Sequence, residues 1–159
     1  MGQLTFRRAE EKDCALILFF IRELAAYEKM LDEVVATEEL LHDRLFVRQR
    51  AEVLFACENG KEVGFALFFH NFSTFVGREG LYLEDLYVLP EYRGKGYGKA
   101  ILTKLASIAV ERGCGRMEWV CLDWNKPSID FYRSLGACPM DEWTVWRVAG
   151  ETLETLAKD

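Results

Sequence analysis

The chain has 159 residues, half of them apolar and 29% charged, which suits one folded domain and excludes a disordered tail. Its 20 Lys and Arg against 26 Asp and Glu leave a net charge of −6, the wrong sign for a nucleic-acid binder and a better match for a cationic small molecule. The longest apolar run, Cys14 to Ile21, falls far short of the roughly 20 residues that span a bilayer, and no small-residue cleavage site follows it, so neither a membrane segment nor a signal peptide is expected and the location reads as cytoplasmic.

Leu4-Thr5-Phe6-Arg7 alternates and predicts a first strand. Glu11 to Lys29 reads as a helix, with Leu16, Phe20 and Leu24 on one face. Thr37 before Glu38-Glu39-Leu40-Leu41 predicts a short, N-capped helix. Glu52 to Cys57 and Glu62 to His70 are apolar-rich strands joined by Glu58-Asn59-Gly60-Lys61, whose Asn-Gly pair is a strong hairpin signal. Leu81 to Leu89 is a further strand, ending before Pro90. Gly98 to Arg112 follows as a helix with Ile101, Leu105 and Ile108 on one face, Leu102 and Ala109 beside them, and Gly113 as its stop. Met117 to Leu122 predicts a buried strand. Asn125 caps a helix with Pro127 in its first turn and Gly136 at its end. Thr144 to Val148 predicts a last strand, and the tail from Glu151 a helix. No linker, repeat or low-complexity segment interrupts the chain, so residues 1–159 read as a single α/β domain around a mixed sheet.

Cys14, Cys57, Cys114, Cys121 and Cys138 form no C-x-x-C pair and are odd in number, which argues against zinc and against a disulfide framework. They are expected as buried thiols. His42 and His70 are too isolated for a metal site, so no metal is expected. Trp119, Trp124, Trp143 and Trp146 suit core or interface positions better than a cation cage.

Leu86-Tyr87-Val88-Leu89-Pro90-Glu91-Tyr92-Arg93-Gly94-Lys95-Gly96-Tyr97-Gly98-Lys99 runs from a strand through a three-glycine turn into a helix. Backbone N–H groups in such a turn point at an anion, and the helix N-terminus adds partial positive charge. Arg93, Lys95 and Lys99 add formal charge within an acidic chain. The turn therefore reads as a phosphate or pyrophosphate cradle; the alternative is a glycine-rich turn with no ligand. It is not a P-loop, because Gly98-Lys99 is followed by Ala100 and no hydroxyl is placed for magnesium. It is not a dinucleotide fingerprint either, because the third glycine is out of register. The spacing that fits is R-x-x-G-x-G, from Arg93, Gly96 and Gly98.

With that motif the sequence resembles the GNAT superfamily of acetyl-CoA-dependent N-acetyltransferases. Glu23-Leu24-Ala25-Ala26-Tyr27-Glu28, Tyr82-Leu83-Glu84-Asp85 and Trp124 through Tyr132 narrow the resemblance to the spermidine/spermine (diamine) and thialysine acetyltransferase group. The match runs from Phe6 to Arg147. It implies the GNAT fold, a mixed, centrally splayed sheet flanked by helices on both faces. It implies that the backbone of Leu86, Tyr87 and Val88 pairs with the pantetheine arm of acetyl-CoA, and that Arg93, Gly94, Lys95, Gly96, Tyr97, Gly98 and Lys99 hold its pyrophosphate. Asn125, Lys126, Pro127 and Ser128 would also touch the coenzyme. Tyr132 would be the proton donor to the leaving thiolate, and Tyr27, Glu28 and Glu84 would hold the amine, with Glu84 helping to deprotonate it directly or through water. A homodimer is implied as well. One departure stands out: the polyamine enzymes carry an acidic residue shortly before a Trp-Arg pair, and the nearest ungapped match here is Thr144, ahead of Trp146-Arg147, with Glu142 two places earlier. That shifts the expected substrate toward thialysine, a lysine-like amino acid or a short diamine.

Acetyl transfer needs a neutral nitrogen, whereas a free alkylammonium has a pKa of about 10.4. A nearby carboxylate binds the cation and takes its proton away. Glu84 and Asp85 are adjacent on a predicted strand, so strict alternation aims only one of them into a given site. Alternation alone does not choose; the resemblance favours Glu84, and Asp85 stays open between an ion pair or cap and a role in the site. A phenol such as Tyr132, with a pKa of about 10, can protonate a thiolate. No cysteine has a recognisable activating base, so direct transfer in a ternary complex is expected rather than an acetyl-enzyme. Two rival readings are a protein or peptide N-acetyltransferase and a non-catalytic acyl-CoA sensor.

Overall fold

A five-stranded sheet runs β1 (Leu4–Arg8), β2 (Glu52–Glu58), β3 (Lys61–Ser73), β4 (Arg78–Val88) and β5 (Met117–Glu118) in that spatial order in the computed structural model, which describes residues 3–159. The first four strands pair antiparallel and β5 joins β4 in parallel, which makes the sheet mixed as expected. The β2–β3 hairpin turns at Asn59 and Gly60, with φ of 52° and 80°, the left-handed pair that a two-residue hairpin demands. The described chain divides into two compact units, one ending at Val120 and one running Cys121–Asp159.

In the first unit, α1 (Cys14–Tyr27) lays Cys14, Ile17 and Phe20 on the sheet, where the Phe20 ring stacks on Phe65 with centroids 5.1 Å apart. The buried stripe is offset from the predicted one, and Leu16 is only half-buried. A single 3-10 turn, Glu11–Asp13, precedes α1. Asp13 is buried there, taking both Arg7 guanidinium nitrogens at 2.8 and 3.0 Å and the Glu10 N–H at 2.7 Å. The short helix α2 (Glu38–Leu41) is capped by Thr37 as predicted, its hydroxyl accepting from the Leu40 N–H at 3.1 Å. Across the sheet, α3 (Tyr97–Glu111) buries Ile101, Leu102, Leu105 and Ala109. A Cβ on Gly64 would lie 3.3 Å from Ile101 Cδ1 and 3.0 Å from the Tyr87 carbonyl, so only glycine lets α3 approach β3 this closely. Gly64 and Phe65 are successive strand residues on opposite faces. Hence α1 and α3 cover the two faces of the sheet.

In the second unit, α4 (Lys126–Ser134) and α5 (Gly150–Ala157) are both where the sequence predicts helices. Two predicted strands differ. The strand expected over Met117 to Leu122 is paired only at Met117 and Glu118, and these are half-buried. Thr144 to Val148 forms no strand, and Val145 and Trp146 are 75% and 91% exposed. Alternation supplies strand propensity, but a strand exists only where a neighbour accepts its hydrogen bonds. Of the tryptophans expected in core or interface positions, none is buried in the core: Trp119 is half-buried, and Trp124, Trp143 and Trp146 are exposed. All five cysteines are free, but only Cys14 and Cys57 are buried. Among the described residues no helix is long and apolar enough to cross a membrane.

Candidate active site

The β4–β5 ladder covers only two rungs, Leu81 with Met117 and Tyr82 with Glu118. Beyond Tyr82, β4 continues for six residues with β3 as its ladder partner. The Leu89 N–H bonds the Val63 carbonyl at 2.9 Å, which makes that pair, and every second pair before it, the hydrogen-bonded ones. Tyr87 therefore spends its backbone on Phe65, whereas Leu86 and Val88 aim theirs away from β3. The Val88 carbonyl is covered by the Arg93 Nε–H at 2.9 Å.

The glycine turn follows directly. Gly94 and Gly96 have φ of 79° and 83°, so glycine is required by the backbone itself. Gly98 differs: it lies in the first turn of α3 at no unusual φ, and a Cβ there would meet nothing within 4 Å. Glycine inside a helix costs about 1 kcal/mol relative to alanine. Among the described residues nothing fills the space over Gly98, which leaves the backbone open at this point. The N-cap, Gly96, makes no side-chain cap bond to the first turn, which keeps its N–H groups clear for an anion.

Arg93 points back from the turn toward α1. Its guanidinium lies 5.0 Å from the Tyr87 ring centroid and 5.3 Å from that of Tyr27, and the two rings meet edge to face. It thereby ties the start of the turn to the C-terminus of α1, where Tyr27 and Glu28 sit. That terminus is made by Lys29, which adopts φ of 63°. The Met30 N–H reaches the Ala25 carbonyl at 2.8 Å, and the Lys29 N–H reaches Ala26 at 3.1 Å. This is a glycine-type helix stop built without glycine, and periodicity did not reveal it.

Three carboxylates converge on the middle of β4. Asp85 opposes Leu67 and Leu83 opposes Phe68, so Glu84 is the extra residue of a β-bulge. The bulge breaks the alternation that was expected to send Glu84 and Asp85 to opposite faces. Glu84 is exposed, and Asp85 is the more buried of the two. Burial pushes the Asp85 carboxyl up to about 7, and the charges of Glu84 and Glu28 add to the rise. Burial also raises Glu28, with Glu84 contributing. Tyr27 stands beside them at the end of α1, 38% exposed. Asp85, which the sequence left open between an ion pair or cap and a role in the site, is the carboxylate that the bulge sets beside Glu84 and Glu28. Its signal was present, a second carboxylate inside an apolar strand, but the bulge that makes it count depends on pairing with β3.

The other predicted residues belong to the second unit. Asn125 is buried, and its Oδ1 accepts from the Ser128 N–H at 3.4 Å, capping α4. Pro127 occupies the first turn, and Lys126 pairs with Asp130 at 2.8 Å. Tyr132 follows on α4, its ring 5.6 Å from that of Phe131.

Residues 17–137 match the profile of the acetyltransferase (GNAT) family. The chain is 41% identical to the thialysine N-epsilon-acetyltransferase of Sus scrofa, with 99% of each covered, and 35% identical to that of Caenorhabditis elegans, with 90% of each covered. Among solved structures, an integron cassette protein from the mobile metagenome of V. cholerae superposes with a TM-score of 0.81 at 30% identity, covering 100% of this chain and 99% of the other. The glycine turn, the splayed strand and the mixed sheet thus sit in a chain that belongs to the GNAT family of N-acetyltransferases, enzymes that use an acyl-CoA.

Proposed function

We propose that residues 1–159 act as one catalytic domain that moves an acetyl group from acetyl-CoA to a primary amine of a small cationic molecule. Thialysine or a lysine-like amino acid fits better than a long polyamine. The observation that carries the reading is the cluster of Glu28, Glu84 and Asp85 at the bulge of β4, on the same strand that runs into the glycine turn. Like charges gathered around a half-buried carboxylate are costly unless a cation joins them. An alkylammonium is such a cation, and it brings a proton to be removed. The pig relative's name supports the amino-acid end of the range, as does Thr144 where a polyamine enzyme would carry an acid.

Acetyl-CoA fits the turn because Gly98 leaves room against the backbone and the first-turn N–H groups of α3 would face an anion placed there. Gly94, Lys95, Gly96, Tyr97, Gly98 and Lys99 would hold the pyrophosphate, with Arg93 fixing the start of the turn. Leu86 and the Val88 N–H would offer backbone groups to the pantetheine, and Tyr87 would hold the strand in register. Asn125, Lys126, Pro127 and Ser128 would complete the coenzyme site. When bound, acetyl-CoA supplies the acetyl group as a thioester. Tyr27, Glu28 and Glu84 would grip the ammonium. Asp85, held near neutrality, would take the ammonium proton directly or through water, and Tyr132 would give a proton to the departing sulfur. No residue of the chain is acetylated in this scheme. We further expect a cytoplasmic enzyme and a homodimer; a monomer mass by light scattering at micromolar concentration would end the latter.

The test is thiol release from acetyl-CoA with thialysine, lysine, ornithine, putrescine, spermidine, spermine and peptide N-termini as acceptors. We expect turnover on thialysine or lysine-like amines to exceed that on spermine. Turnover on peptides alone would replace this reading by a protein acetyltransferase. Acetyl-CoA that raises the melting temperature with no turnover on any acceptor would leave an acyl-CoA sensor.

A further inference from the structure

A carboxylate lies against the cationic turn from outside it. Glu58 ends β2, at the start of the Asn59-Gly60 hairpin, and its Oε1 accepts from the Tyr97 phenol and from Lys95 Nζ at 3.2 Å. Its side chain is only 11% exposed. Lys95 in turn lies 5.2 Å from the Tyr92 ring centroid and 5.9 Å from that of Tyr97, and Lys61 covers Tyr92 at 5.6 Å. Tyr97 is the first residue of α3 and is buried. An acid beside a phosphate cradle is electrostatically unfavourable, since it lowers the potential that attracts the anion. Its presence calls for a compensating role.

We propose that Glu58 is a positioning residue for the acyl-CoA pyrophosphate turn. Tyr97 follows two left-handed residues, Gly94 and Gly96, that have little conformational preference of their own. The phenol–carboxylate bond pins the first residue of α3 to the β2–β3 hairpin and so fixes where the first-turn N–H groups point. The same carboxylate holds Lys95 at the edge of the turn, near the place the phosphates would take. Glu58 therefore lowers the entropy cost of forming the cradle while touching neither substrate. Its carboxyl is held below the usual carboxylate range, first by the Tyr97 bond and then by Lys95, so it is charged at neutral pH. The proposal rests on the coenzyme reading above.

Two opposed expectations make the test decisive. If Glu58 acted by charge alone, Glu58→Ala would tighten acetyl-CoA binding. If it positions the turn, Glu58→Ala weakens binding. We expect Kd for acetyl-CoA by calorimetry, and KM for it, to rise about 10-fold, a loss of the size of one charge-assisted hydrogen bond, with kcat and the amine KM unchanged. Glu58→Gln keeps an acceptor for the phenol and should restore Kd to within about 2-fold. Tyr97→Phe removes the donor of the same bond and should raise the acetyl-CoA Kd by a similar factor, which keeps the test open if the alanine variant unfolds. Gly98→Val fills the space above the first turn and tests the coenzyme reading itself. Weak binding by Gly98→Val with unchanged or tighter binding by Glu58→Ala overturns the positioning role and leaves the cradle standing. Unchanged binding by Gly98→Val removes the cradle and the proposal with it.

Discussion

In the first unit Phe20, Phe55 and Phe65 are wholly enclosed, and the glycine turn and the carboxylate cluster are built against that core. In Cys121–Asp159 the one buried residue is Asn125, and Trp143, Val145 and Trp146 are largely exposed. The first unit is shaped by long-range burial, with strands from both ends of its sequence in one sheet. The second is shaped by local rules: Asn125 caps α4, Pro127 starts it, and Gly136, at φ of 90°, ends it. The difference teaches where precision comes from in this chain. Groups that need a fixed backbone geometry, such as the glycine turn, are anchored in the enclosed sheet. The candidate proton donor Tyr132 rides on a nine-residue helix, too short to persist in water by itself.

The most severe way to break the enclosed region is Phe65→Ala. Removing a fully buried ring that stacks on Phe20 should cost about 3–5 kcal/mol in urea unfolding. A loss below about 1 kcal/mol would mean that this core collapses around the gap. In the second unit the matching blow is chemical. Tyr132→Phe should lower kcat at least about 100-fold while sparing acetyl-CoA affinity, and an unchanged kcat would discard its role as acid.

Asp85 joins core and chemistry. In its proposed role as proton acceptor it must be ionised, so kcat/KM for the amine should rise with pH through about 7. Asp85→Asn should flatten that limb and depress the rate. Stability should move oppositely. The unfolded carboxyl titrates near 4, so the folded state holds its proton more tightly and loses stability as pH rises from about 4 to about 7. At pH 8, Asp85→Asn should therefore be more stable by on the order of 2–4 kcal/mol. A variant less stable at pH 8 would show the carboxylate to be paired favourably.

Smaller effects sharpen the contrast. Lys29 holds a left-handed φ, and Lys29→Gly should stabilise the fold by about 0.5–1 kcal/mol in thermal melts. Activity lost in that variant would show the α1 terminus to be strained for function. Trp146→Ala should change stability by about 0.5 kcal/mol or less, since the side chain is 91% exposed. A loss above about 2 kcal/mol that grows with rising protein concentration would show the face to be covered by a second copy.

The sequence by itself determined the features written in single residues. The Asn59-Gly60 hairpin, the Thr37 and Asn125 caps, the stop at Gly113 and the R-x-x-G-x-G turn depend on φ and on hydrogen bonds within a few residues, and all were legible. The family was legible from the same turn with its neighbouring motifs. Tertiary structure alone decided which partner each element found. The predicted strand over Thr144 to Val148 has the alternation but no ladder, and the one from Met117 pairs for two residues only. The β4 bulge comes from register with β3, and it turned Asp85 from a spare acid into the most perturbed carboxylate of the cluster. Glu58 meets Tyr97 across 39 positions of sequence. Local rules specify what a segment can be; distances between segments are set only when burial brings distant strands together.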